Sequence, residues 1–372
     1  MVKKVRILFQ NRKNAFEKWG GDTTQMVETK KHLEKYGVDV EISLETNPDV
    51  SDYDLIHIFN IQQSNYGVKQ VINAKYNKKP VALSTIYWDF KYQNVKEIYL
   101  FSENQIVKSF AKINQNIPHL VVKLLNFNKR KKEKKCARLM LEEADILLPN
   151  SYSELEIISL LFKMPEIRQK SVVIPNGVST SKFQNNSSSD FLDILQILPD
   201  KYVLEVANFG IWKGQLNVIK ALFEYPKIPL VFVGNLESVY AKECIKLGNK
   251  RGNTFFLGEI PHEKIYPYFS KAKVHVLPSF RESPGLSTLE AAVSGANCVV
   301  SFHGPIAEYF GLDIFCCDPE NVESIKNAIL KAWNSPKKDN LKNRILNNFT
   351  WANAALKTFN AYQYVLNNSK KI

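Results

Sequence analysis

The chain has 372 residues, a formal net charge of +13 and a hydrophobic fraction of 45%. This length favours two domains, because single hydrophobic cores stop growing well before it, and no run approaches the roughly 20 apolar residues of a membrane-spanning helix. The five cysteines are odd in number and include no C-x-x-C pair, which argues against a disulfide framework or a zinc site and indicates a reducing cytoplasm.

Short apolar runs alternate with longer amphipathic segments through the first half of the chain. The apolar run at the N-terminus is too short for a secretion signal and is typical of a first strand. A helix is predicted over residues 23–36, and residues 91–143 are polar and mostly helical in character. The predicted strands of this half are residues 5–10, 38–42, 55–59, 81–85, 146–149 and 172–175.

A second cycle of the same kind begins after residue 200. Residues 179–190, rich in serine and asparagine, are the best candidate for a linker between the cycles, and a helix is predicted over 216–223. The predicted strands are residues 202–206, 230–233, 255–257, 274–277 and 297–301. Such alternation of strands and helices predicts an α/β fold with parallel sheets covered by helices.

A glycine pair precedes the first predicted helix. Gly20 and Gly21 would let the backbone approach a ligand closely, and a helix N-terminus offers free N–H groups with a partial positive charge. A tight turn explains the pair equally well, and Asp22 with Gln25 resembles a capping box. Further along, Asn-Gly at 176–177 predicts a turn just before the linker.

Two segments of the second cycle carry candidate chemistry. Lys213 lies where a loop meets a helix, where a lysine can neutralise a diphosphate or simply be a surface residue. In the segment that begins at Glu282, Ser283 suits an N-cap and the following proline the first helical position, which would put Glu290 about two turns into a helix. Gly285 would leave backbone N–H groups open to a phosphate between the two carboxylates.

Together these motifs resemble the retaining glycosyltransferase family 4. Glu282 and Glu290, followed by Ala-Ala-Val-Ser-Gly, resemble the family's E-x7-E signature. The other matches occur in the family's order and the resemblance runs from about residue 5 to 366: the Gly20-Gly21 loop, the step from Ala144-Asp145 to Asn150-Ser151, the VIPNGV segment at 173–178, and Lys213-Gly214.

This resemblance implies the GT-B fold, in which two Rossmann-like β/α/β domains face each other across a cleft. An acceptor-side domain is expected over residues 1–183 and a nucleotide-sugar domain over 184–345. Residues 346–372 are expected to form a C-terminal helix that packs back on the N-terminal domain.

The resemblance also implies roles for the matched residues. Glu282 is expected to contact the donor sugar, Glu290 to hold the ribose hydroxyls, and Lys213 to pair with the diphosphate and stabilise the leaving group. Glu282 and Lys213 are thus the predicted catalytic residues. Backbone N–H groups are expected to complete the phosphate site at Gly20, Gly21, Gly285 and Leu286. The nucleotide-sugar is a substrate, and neither a cofactor nor a bound metal is expected.

The sequence departs from the family at two positions. Many members carry an arginine where this chain has Asn208, and Arg281, beside Glu282, is a candidate substitute in donor binding. Many also carry a histidine after the strand that corresponds to residues 81–85, where this chain reads Ile-Tyr-Trp-Asp. His57, one strand earlier, is interpreted as a strand residue rather than as its replacement.

The predicted function is transfer of a hexose-type sugar from a nucleotide-sugar to a cell-surface glycan or lipid-linked acceptor. A nucleotide-sugar epimerase of the same fold and a catalytically silent binding subunit remain alternatives. The basic run at 129–135, with six positive charges and one negative, suits either an anionic membrane surface or a solvated helix face. A nucleic-acid partner is not expected, because no aromatics are interleaved with it. The expected location is the cytoplasm, peripheral at the inner face of the membrane.

Overall fold

The computed structural model describes residues 4–87, 127–179, 201–280, 282–337 and 339–369. Within these ranges the chain divides into two compact units. The first comprises the residues up to 87, residues 127–177 and the residues from 349 onward, and the second comprises the described residues of 178–348. Most of the predicted linker and of the segment at 91–143 lies outside the described residues.

Both units follow the strand–helix alternation that the sequence predicts. The strands are β1 (Arg6–Gln10), β2 (Asp39–Ser43), β3 (Leu55–Phe59), β4 (Val81–Ser84), β5 (Ile146–Leu147), β6 (Val203–Val206), β7 (Leu230–Val233), β8 (Thr254–Phe256), β9 (Val274–Leu277), β10 (Asn297–Ser301) and β11 (Phe315–Cys317). The described α-helices are α1 (Gly21–Leu33), α2 (Ser64–Tyr76), α3 (Phe127–Glu143), α4 (Tyr152–Phe162), α5 (Gln215–Ala221), α6 (Val239–Arg251), α7 (Tyr266–Lys271), α8 (Leu286–Val293), α9 (Ile306–Phe310), α10 (Val322–Asn334), α11 (Asp339–Asn348) and α12 (Trp351–Ser369).

Each unit contains one parallel sheet. The strand order is β2-β1-β3-β4-β5 in the first unit and β11-β10-β9-β6-β7-β8 in the second. Central strands such as β3 and β9 are buried along their whole length, as expected for a parallel sheet that is covered on both faces. Each unit has its own hydrophobic core between sheet and helices. These observations confirm the predicted α/β architecture of two Rossmann-like domains. Among the described helices, none has the length and apolar composition needed to cross a bilayer.

The C-terminal helix α12 belongs to the first unit, where it packs against α1. It is tied to the sheet through His57 of β3, whose Nδ1 lies 2.5 Å from the hydroxyl of Tyr362 while Nε2 lies 2.8 Å from Oγ of Ser84. Burial lowers the pKa of His57 to about 3, so the imidazole is neutral. His57 is therefore a buried strand residue, as the sequence indicated.

The segment before the second unit differs from its prediction. Residues 172–175 do not form a strand. Among the described residues of this segment, Ser171 alone bridges to β5, because β5 is two residues long and Pro149, two positions after it, has no N–H for the ladder. The predicted Asn-Gly turn is also absent at 176–177. Gly177 instead lies against the chain's C-terminal segment: a Cβ there would come within 2.2 Å of the carbonyl carbon of Thr350 and 2.4 Å of the nitrogen of Trp351.

Candidate active site

The strand order of the second sheet reverses between β6 and β9. The chain continues from β6 to β7 on one side and from β9 to β10 on the other, so the loops after this adjacent pair diverge. Open α/β sheets bind ligands at the carboxyl ends of their strands at such a point. Lys213 follows β6 and Glu282 follows β9, which places both at this edge of the sheet.

The two loops are joined by hydrogen bonds and by an ion pair. Oγ of Ser279 and the backbone N–H of Phe280 donate to the carbonyl oxygen of Trp212, at 2.8 Å and 2.9 Å. Nζ of Lys213 pairs with Oε1 of Glu282, and the two side chains are 31% and 15% exposed. The structure thus brings together the two residues that the sequence predicts to be catalytic, although 69 positions separate them.

Gly214 allows this close approach of the loops. Its φ is +85°, in the region that favours glycine, and a Cβ would lie 2.9 Å from the carbonyl oxygen of Pro278. A side chain at this position would both strain the backbone and push the β6 loop away from the β9 loop. The close contact between the two loops therefore requires a glycine at position 214, in addition to the motif that this glycine belongs to.

A buried carboxyl interacts with the ion pair electrostatically. Glu205 of β6 is 1% exposed, and among the described residues neither of its carboxyl oxygens has a hydrogen-bond partner. Burial raises the pKa of Glu205 well above its ordinary 4.5; the charge of Lys213 opposes this rise and the charge of Glu282 adds to it. The side chain is thus expected to keep its proton where exposed glutamates are ionised. No sequence motif pointed to this residue.

Helix α8 begins later than the sequence predicts. Its N-cap is Gly285, with φ at +87°, so Ser283 is not the N-cap and Pro284 is not its first residue. Glu290 is consequently the fifth residue of the helix, little more than one turn from its start. The carbonyl oxygen of Gly285 accepts from the N–H groups of Thr288 at 3.0 Å and Leu289 at 3.2 Å.

The first two N–H groups of α8 remain available. Within the described ranges, the backbone N–H groups of Leu286 and Ser287 have no hydrogen-bond partner in the protein. Such groups carry the partial positive charge of a helix N-terminus and favour an anion. The carboxylate of Glu282 lies near the start of this helix, since a Cβ on Gly285 would come 3.6 Å from its Oε2. Ion pair and helix N-terminus therefore share one locality, which suits a diphosphate that bridges them.

Glu290 has a partner that sequence reasoning missed. Nε2 of His262 lies 2.5 Å from Oε1 of Glu290, and the two side chains are 45% and 12% exposed. His262 stands in a 3-10 turn, His262–Lys264, between β8 and α7. It belongs to no motif and precedes Glu290 by 28 positions, so spacing alone gave no signal.

The glycine loop of the first unit lies at the corresponding reversal of that sheet, between β1 and β3. Gly20 is the N-cap of α1, and no side chain caps it, so the predicted capping box of Asp22 and Gln25 does not form. Asp22 instead pairs with Arg12, whose Nε donates to it at 2.8 Å. Burial acts to raise the pKa of Asp22, but hydrogen bonds and charge from Arg12 outweigh it and lower the pKa.

The two glycines differ in their surroundings. A Cβ on Gly20 would come 2.8 Å from Oδ1 of Asp22, whereas a Cβ on Gly21 would meet nothing within 4 Å. The first glycine thus has a packing reason, whereas the described part of the chain shows none for the second. Their contribution to a phosphate site stays a prediction.

Two further expectations are untested by this geometry. Arg281, the candidate substitute for the absent arginine at Asn208, lies outside the described residues. In the part of the chain that is described, no group of three or more His, Cys, Asp or Glu side chains is arranged to hold a metal ion. Metal independence stays a prediction.

Comparison with known proteins shows a likeness to glycosyltransferases over part of the chain. Residues 191–348 match the family described as "Glycosyl transferases group 1". An uncharacterized glycosyltransferase of Methanocaldococcus jannaschii is 26% identical over 228 residues, 57% of this chain and 58% of that protein. The O-antigen chain mannosyltransferase B of Escherichia coli is 27% identical over 236 residues, 59% of this chain and 60% of that protein. The matches thus span about three fifths of these curated relatives.

A solved structure extends the likeness to almost the whole chain. The sucrose-phosphate synthase from Thermosynechococcus elongatus superposes with a TM-score of 0.71, at 16% identity, over 98% of this chain and 100% of that one. The chain therefore has the GT-B fold. The family match includes Lys213, Glu282 and Glu290, while the roles of the three side chains remain predictions.

Proposed function

We propose that this protein is a retaining glycosyltransferase of the family 4 type, which moves a hexose from a nucleoside diphosphate sugar to a glycan or lipid-linked acceptor. The observation that supports it is the ion pair between Lys213 and Glu282 beside the N-terminus of α8. This arrangement combines a mobile positive charge, fixed N–H groups and a carboxylate at the reversal point of one sheet.

The diphosphate would bind where these positive groups converge. Glu282 pairs with Lys213 in the structure, and the arriving phosphates would offer the ammonium group a stronger anionic partner. The N–H groups of Leu286 and Ser287 would donate hydrogen bonds to the phosphate oxygens. Negative charge grows on the diphosphate as the glycosidic bond breaks, so these groups would stabilise the transition state more than the bound donor.

Release of Lys213 would also free Glu282 for the sugar. A carboxylate accepts hydrogen bonds from sugar hydroxyls, and its position next to the diphosphate site suits the transferred ring. Glu290, four positions beyond the first residue of α8, would accept from the ribose hydroxyls. Glu282, Lys213 and Glu290 would then contact the sugar, the diphosphate and the nucleoside of the donor, in that order.

An anionic membrane surface is the proposed location of the acceptor. The first half of α3 carries six exposed basic residues: Lys129, Arg130, Lys131, Lys132, Lys134 and Lys135. Because α3 ends just before β5, its basic first half lies at the carboxyl edge of the parallel first sheet, the edge that also carries the glycine loop. Each basic residue near an anionic bilayer contributes about 1 kcal/mol, so several together give reversible binding.

Liposome sedimentation tests this surface. We expect binding to vesicles that contain phosphatidylglycerol, no binding to phosphatidylcholine vesicles, and loss of binding at high salt or when Lys131, Lys132 and Lys135 are changed to glutamate. A matched control reverses Lys242, Lys246 and Lys250 of α6 in the second unit. If the α3 variant sediments like the wild type, the basic run is only a solvated helix face.

Donor turnover tests the enzymatic proposal. Purified protein would be incubated with a panel of UDP-glucose, UDP-N-acetylglucosamine and GDP-mannose, and the released nucleoside diphosphate measured. The mannose donor is included because the E. coli relative is named a mannosyltransferase. Release of nucleotide with an α-linked product from an α-linked donor supports retention. A changed sugar that stays on the nucleotide would indicate an epimerase, and binding without turnover across the panel and a glycan acceptor library would indicate a silent subunit.

A further inference from the structure

The connection between β8 and β9 brings a histidine to the nucleoside end of the proposed donor site. β8 is the edge strand, so the chain must cross β7 and β6 to reach β9. Helix α7 lies in this crossover and packs against α8. This crossover therefore brings His262, which lies just before α7, into contact with Glu290 on α8.

The contact leaves one carboxylate oxygen of Glu290 open. His262 lies 2.5 Å from Oε1, and within the described part of the chain Oε2 has no hydrogen-bond partner. An imidazole Nε2–H, in either the neutral or the protonated ring, donates to a carboxylate. The ring centroid of His262 is 5.9 Å from that of Tyr266, a residue of α7 that is itself buried. The imidazole is thus supported on one side and holds the carboxylate on the other.

We infer that His262 is a positioning residue for nucleoside recognition, which orients Glu290 so that its second oxygen faces the ribose hydroxyls. The inference rests on the proposed function. Without the imidazole, the Glu290 side chain would rotate among staggered rotamers, and binding would have to restrict that freedom. His262 therefore sets part of the preference for a ribose over a deoxyribose without contacting the sugar itself.

The position of Glu290 along α8 suits the ribose rather than the phosphates. It lies four residues beyond Leu286, about 6 Å along the helix axis at 1.5 Å per residue. The phosphates are assigned to the free N–H groups at the helix start. A carboxylate next to a phosphate would repel it, whereas sugar hydroxyls are suitable partners for it.

Calorimetric titration of UDP, GDP and their 2′-deoxy and 3′-deoxy forms tests this role. The variants are His262→Ala, His262→Gln, Glu290→Ala and the double variant His262→Ala/Glu290→Ala. Glutamine places an N–H donor near the position of the imidazole Nε2 and should restore binding. Glu263→Gln, at an exposed neighbour in the same turn, is the matched control, and thermal melting confirms that each variant folds.

We expect His262→Ala to weaken binding of the preferred nucleotide 3- to 10-fold and to reduce its preference over the deoxy forms. His262→Gln and Glu263→Gln should stay within 2-fold of the wild type. In the Glu290→Ala background the further loss of His262 should change affinity by less than 2-fold, because the histidine acts through the carboxylate.

Unchanged affinity in His262→Ala, or an undiminished loss in the Glu290→Ala background, would overturn the role of His262. If Glu290→Ala still weakens binding in that case, the proposed donor site stands and only this inference fails. If the wild-type protein binds none of the nucleoside diphosphates, both the proposed function and the role of His262 fail.

Discussion

Replacing Glu205 by leucine should stabilise the second unit. The side chain is 1% exposed, lies on the same face of β6 as the core residue Val203, and presents two carboxyl oxygens without a hydrogen-bond partner among the described residues. Leucine is similar in size and carries no polar atom. The variant would therefore remove a desolvation cost while keeping the core filled.

The expected magnitude follows from the unpartnered group. A buried polar group without a partner costs about 1–3 kcal/mol. We expect the free energy of unfolding to rise by about that amount at neutral pH, and the melting temperature to rise by about 2–4 °C per kcal/mol for a domain of this size.

The gain should depend on pH in a definite direction. The pKa of Glu205 is raised in the folded protein above its ordinary 4.5, so above pH 4.5 the folded state holds a proton that the unfolded state releases. The wild type therefore loses stability as the pH rises from 4.5 toward the folded-state pKa. The leucine variant lacks this loss, and its advantage should be larger at pH 8 than at pH 5.

Urea denaturation at pH 5, 6.5 and 8, followed by far-UV circular dichroism, measures both effects. Glu205→Gln is the control: it keeps a polar group in place but does not ionise, so it should remove the pH dependence and little of the cost at pH 5. A leucine variant that is less stable than the wild type at pH 8 would refute the reasoning. So would an advantage that does not grow with pH.

Three further predictions concern the donor site. Glu290→Ala should weaken nucleoside diphosphate binding by about 1.5–3 kcal/mol for each hydrogen bond lost to the charged acceptor, and equal affinities by calorimetry would remove the ribose assignment. Lys213→Ala should lower kcat more than it raises KM, because the charge of Lys213 acts mainly in the transition state; the loss of kcat in steady-state assays should be on the order of 100-fold or more. Arg281→Ala should have the same effect if Arg281 replaces the arginine that is absent at Asn208. Unchanged kinetics of Arg281→Ala would discard that substitution. Turnover should survive EDTA, and a complete loss that Mn²⁺ or Mg²⁺ restores would contradict metal independence.

The sequence predicted the sheets better than the site. β3, β7, β9 and β10 begin and end where predicted, because short apolar runs bounded by polar residues specify buried parallel strands. β11 was not predicted, since a three-residue strand at a sheet edge leaves little periodic signal. The predicted start of α8 was wrong. Ser-Pro is typical of a helix start, but Gly285 adopts a positive φ, and the helix begins only after it.

Within the site, the sequence predicted residue types and the fold supplied their partners. Lys213 and Glu282 were identified through a family resemblance, but their pairing depends on β6 and β9 being neighbours, which no local pattern states. His262 and Arg12 were missed for the same reason, because each acts through a contact made by a crossover or a loop. Glu205 was missed because a single carboxyl in an apolar strand has no spacing to recognise.

Gly177 has a consequence for how such a chain can evolve. The chain leaves the first unit after Gly177 and has returned to it at Thr350 and Trp351. The backbone at Gly177 lies against the backbone of these two residues. Among the described residues, the second unit thus leaves and rejoins the first unit at one place, an arrangement in which inserted domains are well tolerated. A short bridge from Gly177 to Thr350 would make these two stretches of the first unit continuous. A different inserted domain could then be exchanged at the same point without disturbing the core of the first unit.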